Sequence, residues 1–278
     1  MGREVNGAAS RDPGGSGTHA GALSVEAISH VFPQPGAGWL PRRAAPVPVL
    51  DGVSFGAEPG TLTAILGPSG CGKSTLLRLI AGLERPTAGR ALLGGAELAG
   101  TPGGVAYHPQ RDALLPWLRV LDNAMLGAET CGVDRSVARS AALSLLDRFG
   151  LAGQERAWPD ELSGGMRQRV ALMRTFLMPQ PLLALDEPLG ALDALTRRLL
   201  QHWLIDIVAS DGRPILLVTH DIDEALLLAD RILVLSPRPG RIVHVEERPD
   251  AGTRLREHED GGDREAARTL LGRLAATA

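Results

Sequence analysis

The pattern of apolar and polar positions changes period several times along this chain. Residues 23–31 alternate with the two-residue period of a half-buried strand, and the run ends at Phe32. Residues 49–55 and 61–66 also read as strands, the second apolar enough to be buried. Residues 67–72 form a Gly-rich loop, and a helix starts at Lys73 and runs to 81. Short strands are expected at 90–93 and 105–107. From about 120 to 178 the period becomes helical. Residues 136–149 stop at Gly150, and residues 163–178 make a second helix with Ser163 as its N-cap. Strands at 181–185, 214–218, 232–235 and 242–245 then alternate with helices at 193–210 and 222–228, and a terminal helix is expected over 264–275. Strand–helix alternation interrupted by a helical stretch predicts an α/β fold. Its sheet should be mainly parallel with an antiparallel β edge, carrying a helical subdomain at about 118–178.

The flanks read differently. Residues 1–22 are rich in Gly, Ser and Ala without an apolar core segment, and are expected to be a disordered leader rather than a signal peptide. Residues 33–48 are a Pro/Gly-rich loop, residues 23–249 hold the folded domain, and 250–278 form a tail with a short helix. No apolar run approaches the ~20 residues of a membrane span, so any membrane role must come through a partner.

Composition narrows the classes. Hydrophobic residues make up 44% and charged residues 22% of the 278 residues, as in ordinary globular domains. The net charge of −3 supplies no bulk attraction for nucleic acid. The two cysteines, Cys71 and Cys131, do not suggest a disulfide framework, because Cys71 lies inside the glycine-rich loop. The basic residues are the informative part. Of the 29, one is lysine, Lys73, and the rest are arginine. Solvated surface positions accept either cation. A site that needs a compact ammonium with three donors does not accept a planar guanidinium.

Lys73 lies in Gly67-Pro-Ser-Gly-Cys-Gly-Lys-Ser74, which matches the phosphate-binding P-loop between a buried strand and a helix. Glycines there let backbone N–H groups converge on phosphate oxygens, and the helix dipole adds to the attraction. The expected nucleotide contacts are Gly67, Pro68, Ser69, Gly70, Cys71, Gly72, Lys73, Ser74 and Thr75. Lys73 neutralises β- and γ-phosphate charge, and Ser74 offers its hydroxyl to Mg²⁺. Alkylation of Cys71 is expected to block nucleotide binding. A second apolar strand ends in Asp186-Glu187, at the carboxyl edge of the sheet where α/β ligands bind. Asp186 can hold the water shell of Mg²⁺, and Glu187 can orient and deprotonate the attacking water.

Leu162-Ser-Gly-Gly-Met-Arg-Gln-Arg169 resembles the signature of ABC-transporter ATPases, and further motifs follow that family's order. Gln110 stands at the Q-loop, Gly190-Ala-Leu-Asp193 at the D-loop, and Thr219-His220-Asp221 at the H-loop. The resemblance spans about 23–245. It implies a P-loop NTPase core with a helical signature subdomain, and ATP and Mg²⁺ as cofactors. It also implies a head-to-tail dimer with two sandwiched nucleotides. Ser163, Gly164 and Gly165 of one protomer, with Asp193, would then meet the nucleotide held by the other. His220 would contact the γ-phosphate in cis, Gln110 would sense Mg²⁺, and Phe32 would stack on adenine. One departure stands out: Tyr107-His-Pro109 replaces the usual apolar–aromatic pair before Gln110, so the Q-loop should be stiffer or differently anchored.

Leu114-Leu-Pro-Trp117, Val120-Leu-Asp-Asn123 and Leu235-Ser-Pro-Arg-Pro-Gly-Arg241 resemble importer ATPases for taurine, aliphatic sulfonates and nitrate, taurine-type chains most. The implied partners are a second copy of the chain, two integral membrane permease subunits, and indirectly a solute-binding protein outside. The implied location is the cytoplasmic face of a bacterial membrane. Bicarbonate and thiamine-precursor importers would look the same, since no residue here reads a solute. A soluble ABC ATPase acting on DNA or ribosomes is the rival from another class. The short stretch between Gln110 and Ser163, the lack of CxxC and the negative charge weigh against it.

Overall fold

In chain order the strands of the computed structural model are β1 (Leu23–Phe32), β2 (Val47–Ala57), β3 (Leu62–Leu66), β4 (Ala88–Leu93), β5 (Ala96–Glu97), β6 (Ala106–His108), β7 (Leu183–Asp186), β8 (Ile215–Val218), β9 (Arg231–Leu235) and β10 (Ile242–Glu247). The helices are α1 (Lys73–Ile80), α2 (Val120–Thr130), α3 (Arg135–Leu146), α4 (Gly164–Phe176), α5 (Ala194–Asp211), α6 (Ile222–Leu228) and α7 (Arg264–Ala276). The structure describes residues 21–32, 46–98, 100, 103–190, 192–248 and 264–276. Most of the expected leader, most of the Pro/Gly-rich loop and the stretch before α7 lie outside the described residues.

Strands β9, β3, β8, β7 and β6 run parallel in that order, and β10 adds antiparallel to β9. Every residue of β3, β7 and β8 is buried. Continuous apolar runs suit strands covered on both faces. Strand β10 supplies the expected antiparallel edge, and the other antiparallel strands form a second sheet in the order β2-β1-β4-β5. Their alternating burial pattern is that of a sheet with one face on the core.

The period of two along β3 divides the interior. Leu62, Ala64 and Leu66 face a core shared with α2–α6, whereas Ile65 faces a second core with α1 and the antiparallel sheet. Helix α1, carrying Leu76, Leu77, Leu79 and Ile80 into that second core, is held between the two sheets. The P-loop at its N-terminus is therefore fixed from both sides. Helices α2, α3 and α4 pack together as the helical subdomain. Helix α7 rests on α6 and buries Leu270 in the larger core.

Candidate nucleotide-binding cleft

Gly67–Gly72 joins β3 to α1, and its sharp path depends on Gly72. That residue has φ +110°, and a Cβ there would sit 2.8 Å from Leu50 Cδ2 and 3.1 Å from the Val49 carbonyl oxygen. A cavity of about 260 Å³ opens over the loop, lined by Ser69, Gly70, Gly72, Lys73, Ser74, Thr75, Gln110, Glu187 and Arg238. Lys73 is only 7% exposed. Its Nζ donates to the carbonyls of Gly67 (2.8 Å) and Pro68 (3.1 Å), so the ammonium already lies along the loop with one donor to spare.

The carboxylates enter from β7. Ser74 Oγ donates to Asp186 Oδ1 at 3.0 Å, and the Tyr107 hydroxyl approaches Asp186 Oδ2 at 3.4 Å. Burial pushes the Asp186 carboxyl up, and the Ser74 hydrogen bond offsets only part of that rise. A desolvated carboxylate beside a hydroxyl is a donor set that suits a hard divalent cation. Burial also raises the Tyr107 phenol, with the Asp186 charge adding to it, so Tyr107 stays a neutral donor.

Glu187, the next residue, has φ +50°, an uncommon conformation for a side-chain-bearing residue. The turn is held by three hydrogen bonds. Glu187 N donates to the Val218 carbonyl, and the Glu187 carbonyl accepts from Gly190 N and from Gln168 Nε2 of α4. The left-handed backbone swings the carboxylate off the strand line into the cavity. There Glu187 Oε2 accepts from Gln110 Nε2 at 3.0 Å and lies 3.4 Å from His220 Nδ1. Three residues far apart in sequence thus meet at one oxygen. Behind them, a small cavity of about 60 Å³ connects Glu187 and His220 to Glu224. Burial raises the Glu224 carboxyl to about 7, opposed by its hydrogen bond from Thr219.

His108 is fully buried, with Nδ1 3.4 Å from Thr175 Oγ1 of α4. Burial lowers its pKa to about 4, aided by the Arg174 charge, so the imidazole is neutral at physiological pH. Arg174 also donates to the carbonyls of Asp112 and Ala113, and Arg167 pairs with Asp112 at 3.1 Å. The Q-loop is thereby tied to the signature helix on both sides of Gln110. Farther on, the buried Asn123 amide accepts from Leu115 N and donates to the carbonyls of Leu115 and Leu118. This folds a loop around Asn123 and leaves Trp117 68% exposed, while Leu114 packs on the core.

Other expected contacts lie away from the cleft. Ser163 caps α4 by accepting from Met166 N, and Asp193 caps α5 by accepting from Thr196 N. Neither these nor Gly164 and Gly165 line the P-loop cavity of the same chain. Phe32 stacks edge-on against His30 at 4.6 Å and does not line the cavity either. Arg238, Tyr107 and Gln168 join or brace the site without having been assigned to it from sequence. Gln168 sits inside the signature motif, and Arg238 inside 235–241, so a motif supplied the signal but not the role. A wider hollow of about 520 Å³ lies beside Phe149, Leu199 and Trp203, away from the P-loop.

Cys71 departs from its expected reactivity. It is 1% exposed, packs against Gly67, and burial pushes its thiol pKa up. A buried, protonated thiol reacts slowly. A maleimide is therefore expected to label one thiol per native chain, the exposed Cys131, without loss of ATP hydrolysis, and both only after unfolding. Mass spectrometry with parallel assays checks this; activity falling in step with Cys71 labelling would refute it.

Comparison with known proteins identifies the family of the chain. Residues 50–190 match the family described as ABC transporter. The taurine import ATP-binding protein of Burkholderia pseudomallei (strain 1710b) is 48% identical over 205 residues, covering 73% of this chain and 77% of that protein. An aliphatic sulfonates import ATP-binding protein of Rhodococcus jostii is 49% identical over 204 residues, covering 72% and 80%. The formylaminopyrimidine import ATP-binding protein of Halalkalibacterium halodurans is 46% identical over 192 residues, covering 69% and 75%. In structure, the chain is similar to a dimeric ATP-binding cassette in a post-hydrolysis state bound to ADP and Pi. The TM-score is 0.71 and the identity 25%, covering 82% of this chain and 99% of that one.

Proposed function

This chain belongs to the ABC transporter family, and from that premise we propose that it is the ATP-hydrolysing subunit of an importer for a small sulfonate such as taurine. The observation that carries the ATPase reading is the convergence of Gln110 and His220 on Glu187 Oε2, beside the P-loop lysine. Lys73 and the P-loop amides bind the phosphates. Ser74, Asp186 and Gln110 would hold Mg²⁺, which would supply charge neutralisation to the phosphates. Glu187 takes the proton of the attacking water, and His220 steadies the γ-phosphate side of the carboxylate.

The sites that remain open to the outside find their use in a head-to-tail dimer. Ser163, Gly164 and Gly165 lie at the N-terminus of α4, which presents unpaired N–H groups to an anion. In this reading they close on the nucleotide held by the other copy, with Asp193 nearby, while Phe32 meets the adenine. Trp117, held outward by Asn123, docks against a membrane-embedded permease subunit at the cytoplasmic face. Among the described residues no helix is long and apolar enough to cross a membrane.

Sulfonate import is supported by the names of the relatives, and the formylaminopyrimidine relative keeps a thiamine-precursor solute as the alternative, with nitrate and bicarbonate in the same class. Affinity purification of the chain from its native membranes tests the importer reading. Recovery with two integral membrane subunits is expected, and recovery with ribosomes or DNA alone would sink it.

A further inference from the structure

Arg238 lines the P-loop cavity with no role so far. It lies in the loop between β9 and β10, and that loop is hydrogen-bonded to β2 beside the P-loop. Gly240 N donates to the Val49 carbonyl at 2.8 Å, and Asp51 N donates back to the Gly240 carbonyl at 3.1 Å. Gly240 passes so close to the P-loop that a Cβ would stand 2.4 Å from the Cys71 carbonyl oxygen. Ser236 closes the loop from within: its N–H donates to the Arg241 carbonyl, and its hydroxyl accepts from Arg241 N. Arg241 itself is ion-paired with Asp51. Arg238 is different: it is exposed at the cavity, and among the described residues no carboxylate pairs with its guanidinium.

Charge and topology say what it faces. The charged side chains lining the cavity are Lys73, Arg238 and Glu187. Without Arg238 the lining would carry one positive and one negative charge, a poor match for a polyphosphate. Strand β3 feeds the P-loop, with β8 on one side and β9 on the other. His220 follows β8 and Arg238 follows β9, so the two reach the same cleft from opposite flanks, at the end that holds Glu187. A guanidinium fork suits a terminal phosphate with its exposed oxygens.

We propose that Arg238 binds the terminal phosphate of the nucleotide and is a determinant of ATP-over-ADP discrimination. The proposal rests on the reading of this cleft as an ATP site. It is tested in the full-length chain by equilibrium binding of ADP and a non-hydrolysable ATP analogue with Mg²⁺, at protein concentrations where sedimentation shows a monomer. Arg238→Ala should weaken analogue binding roughly tenfold or more while ADP binding changes by less than about twofold. Arg238→Lys should recover part of the loss, and the melting temperature should be unchanged. Equal losses for both nucleotides would overturn the assignment. So would unchanged affinities with loss of dimer formation only, which would make Arg238 a contact to the second copy. If the parent chain bound neither nucleotide, the ATP-site reading itself would fall, an outcome distinct from a parent that binds ATP and a variant that binds it equally well.

Discussion

Glu187→Gln is expected to bind ATP normally and to hydrolyse it about 10²- to 10⁴-fold more slowly, the range for a lost general base. The substitution keeps the size of the side chain and leaves the φ +50° backbone with a residue of similar demands, so the turn should survive. What changes is Glu187 Oε2. It accepts from Gln110 and lies 3.4 Å from His220 Nδ1, and a carboxylate can hold both and still take a proton from water. An amide oxygen can still accept from Gln110, but the amide cannot take that proton. Because the P-loop contacts do not involve Glu187, nucleotide affinity should persist. The blocked turnover should let an ATP-bound dimer accumulate, visible by sedimentation. Phosphate release at the parent rate would remove Glu187 from the base role.

The parallel core and the phosphate-loop motif were legible from sequence because each was encoded locally. The runs at β3, β7 and β8 are apolar at nearly every position, which leaves few alternatives to a strand covered on both faces. The P-loop is a contiguous motif whose glycines each answer a local backbone demand. Three-dimensional partnerships were less legible. Gln110, Glu187 and His220 could be assigned singly from motif order, but their meeting at one oxygen depends on the parallel pairing of β6, β7 and β8. The two-residue strand β5 was missed because no periodicity can be read from two positions. The separate antiparallel sheet follows from β1 pairing with both β2 and β4, long-range register that alternation alone does not specify.

The Q-loop segment shows how a local oddity acquires a tertiary reason. His108-Pro109 looked like a stiffener. In the fold, His108 is a neutral plug against Thr175, and the adjoining residues are tied to Arg167 and Arg174 of α4. The helix that bears the signature motif is therefore braced against the loop that bears Gln110 and presents Trp117. Such bracing can pass a displacement at Glu187 outward, because Gln168 of the same helix donates to the Glu187 carbonyl. Cys71 shows the converse. Its position in the P-loop suggested reactivity, but the loop turns it inward, where its thiol fills the space beside Gly67.

Lys73→Arg is expected to lower ATP hydrolysis by roughly 10²- to 10³-fold or more, the cost of removing one well-placed charged donor, while the fold survives. Every other basic position of this chain is arginine, so the substitution is the mildest one by composition and the harshest by geometry. Lys73 is 7% exposed, and its ammonium sits against the Gly67 and Pro68 carbonyls at 2.8 and 3.1 Å. A guanidinium carries its charge over a plane and cannot occupy that pocket without shifting the loop. The loop has little room to shift, since Gly72 packs on Leu50 and Val49, and Gly240 presses on Cys71. The planar group would therefore be forced toward the cavity, into the space for the phosphates. Melting temperature should change little, because the helix and both cores are untouched, while nucleotide affinity and phosphate release should both fall. A Lys73→Arg chain that kept near-parent hydrolysis would make the single lysine an accident of composition, and would shift the phosphate-binding burden to the backbone amides and to Arg238.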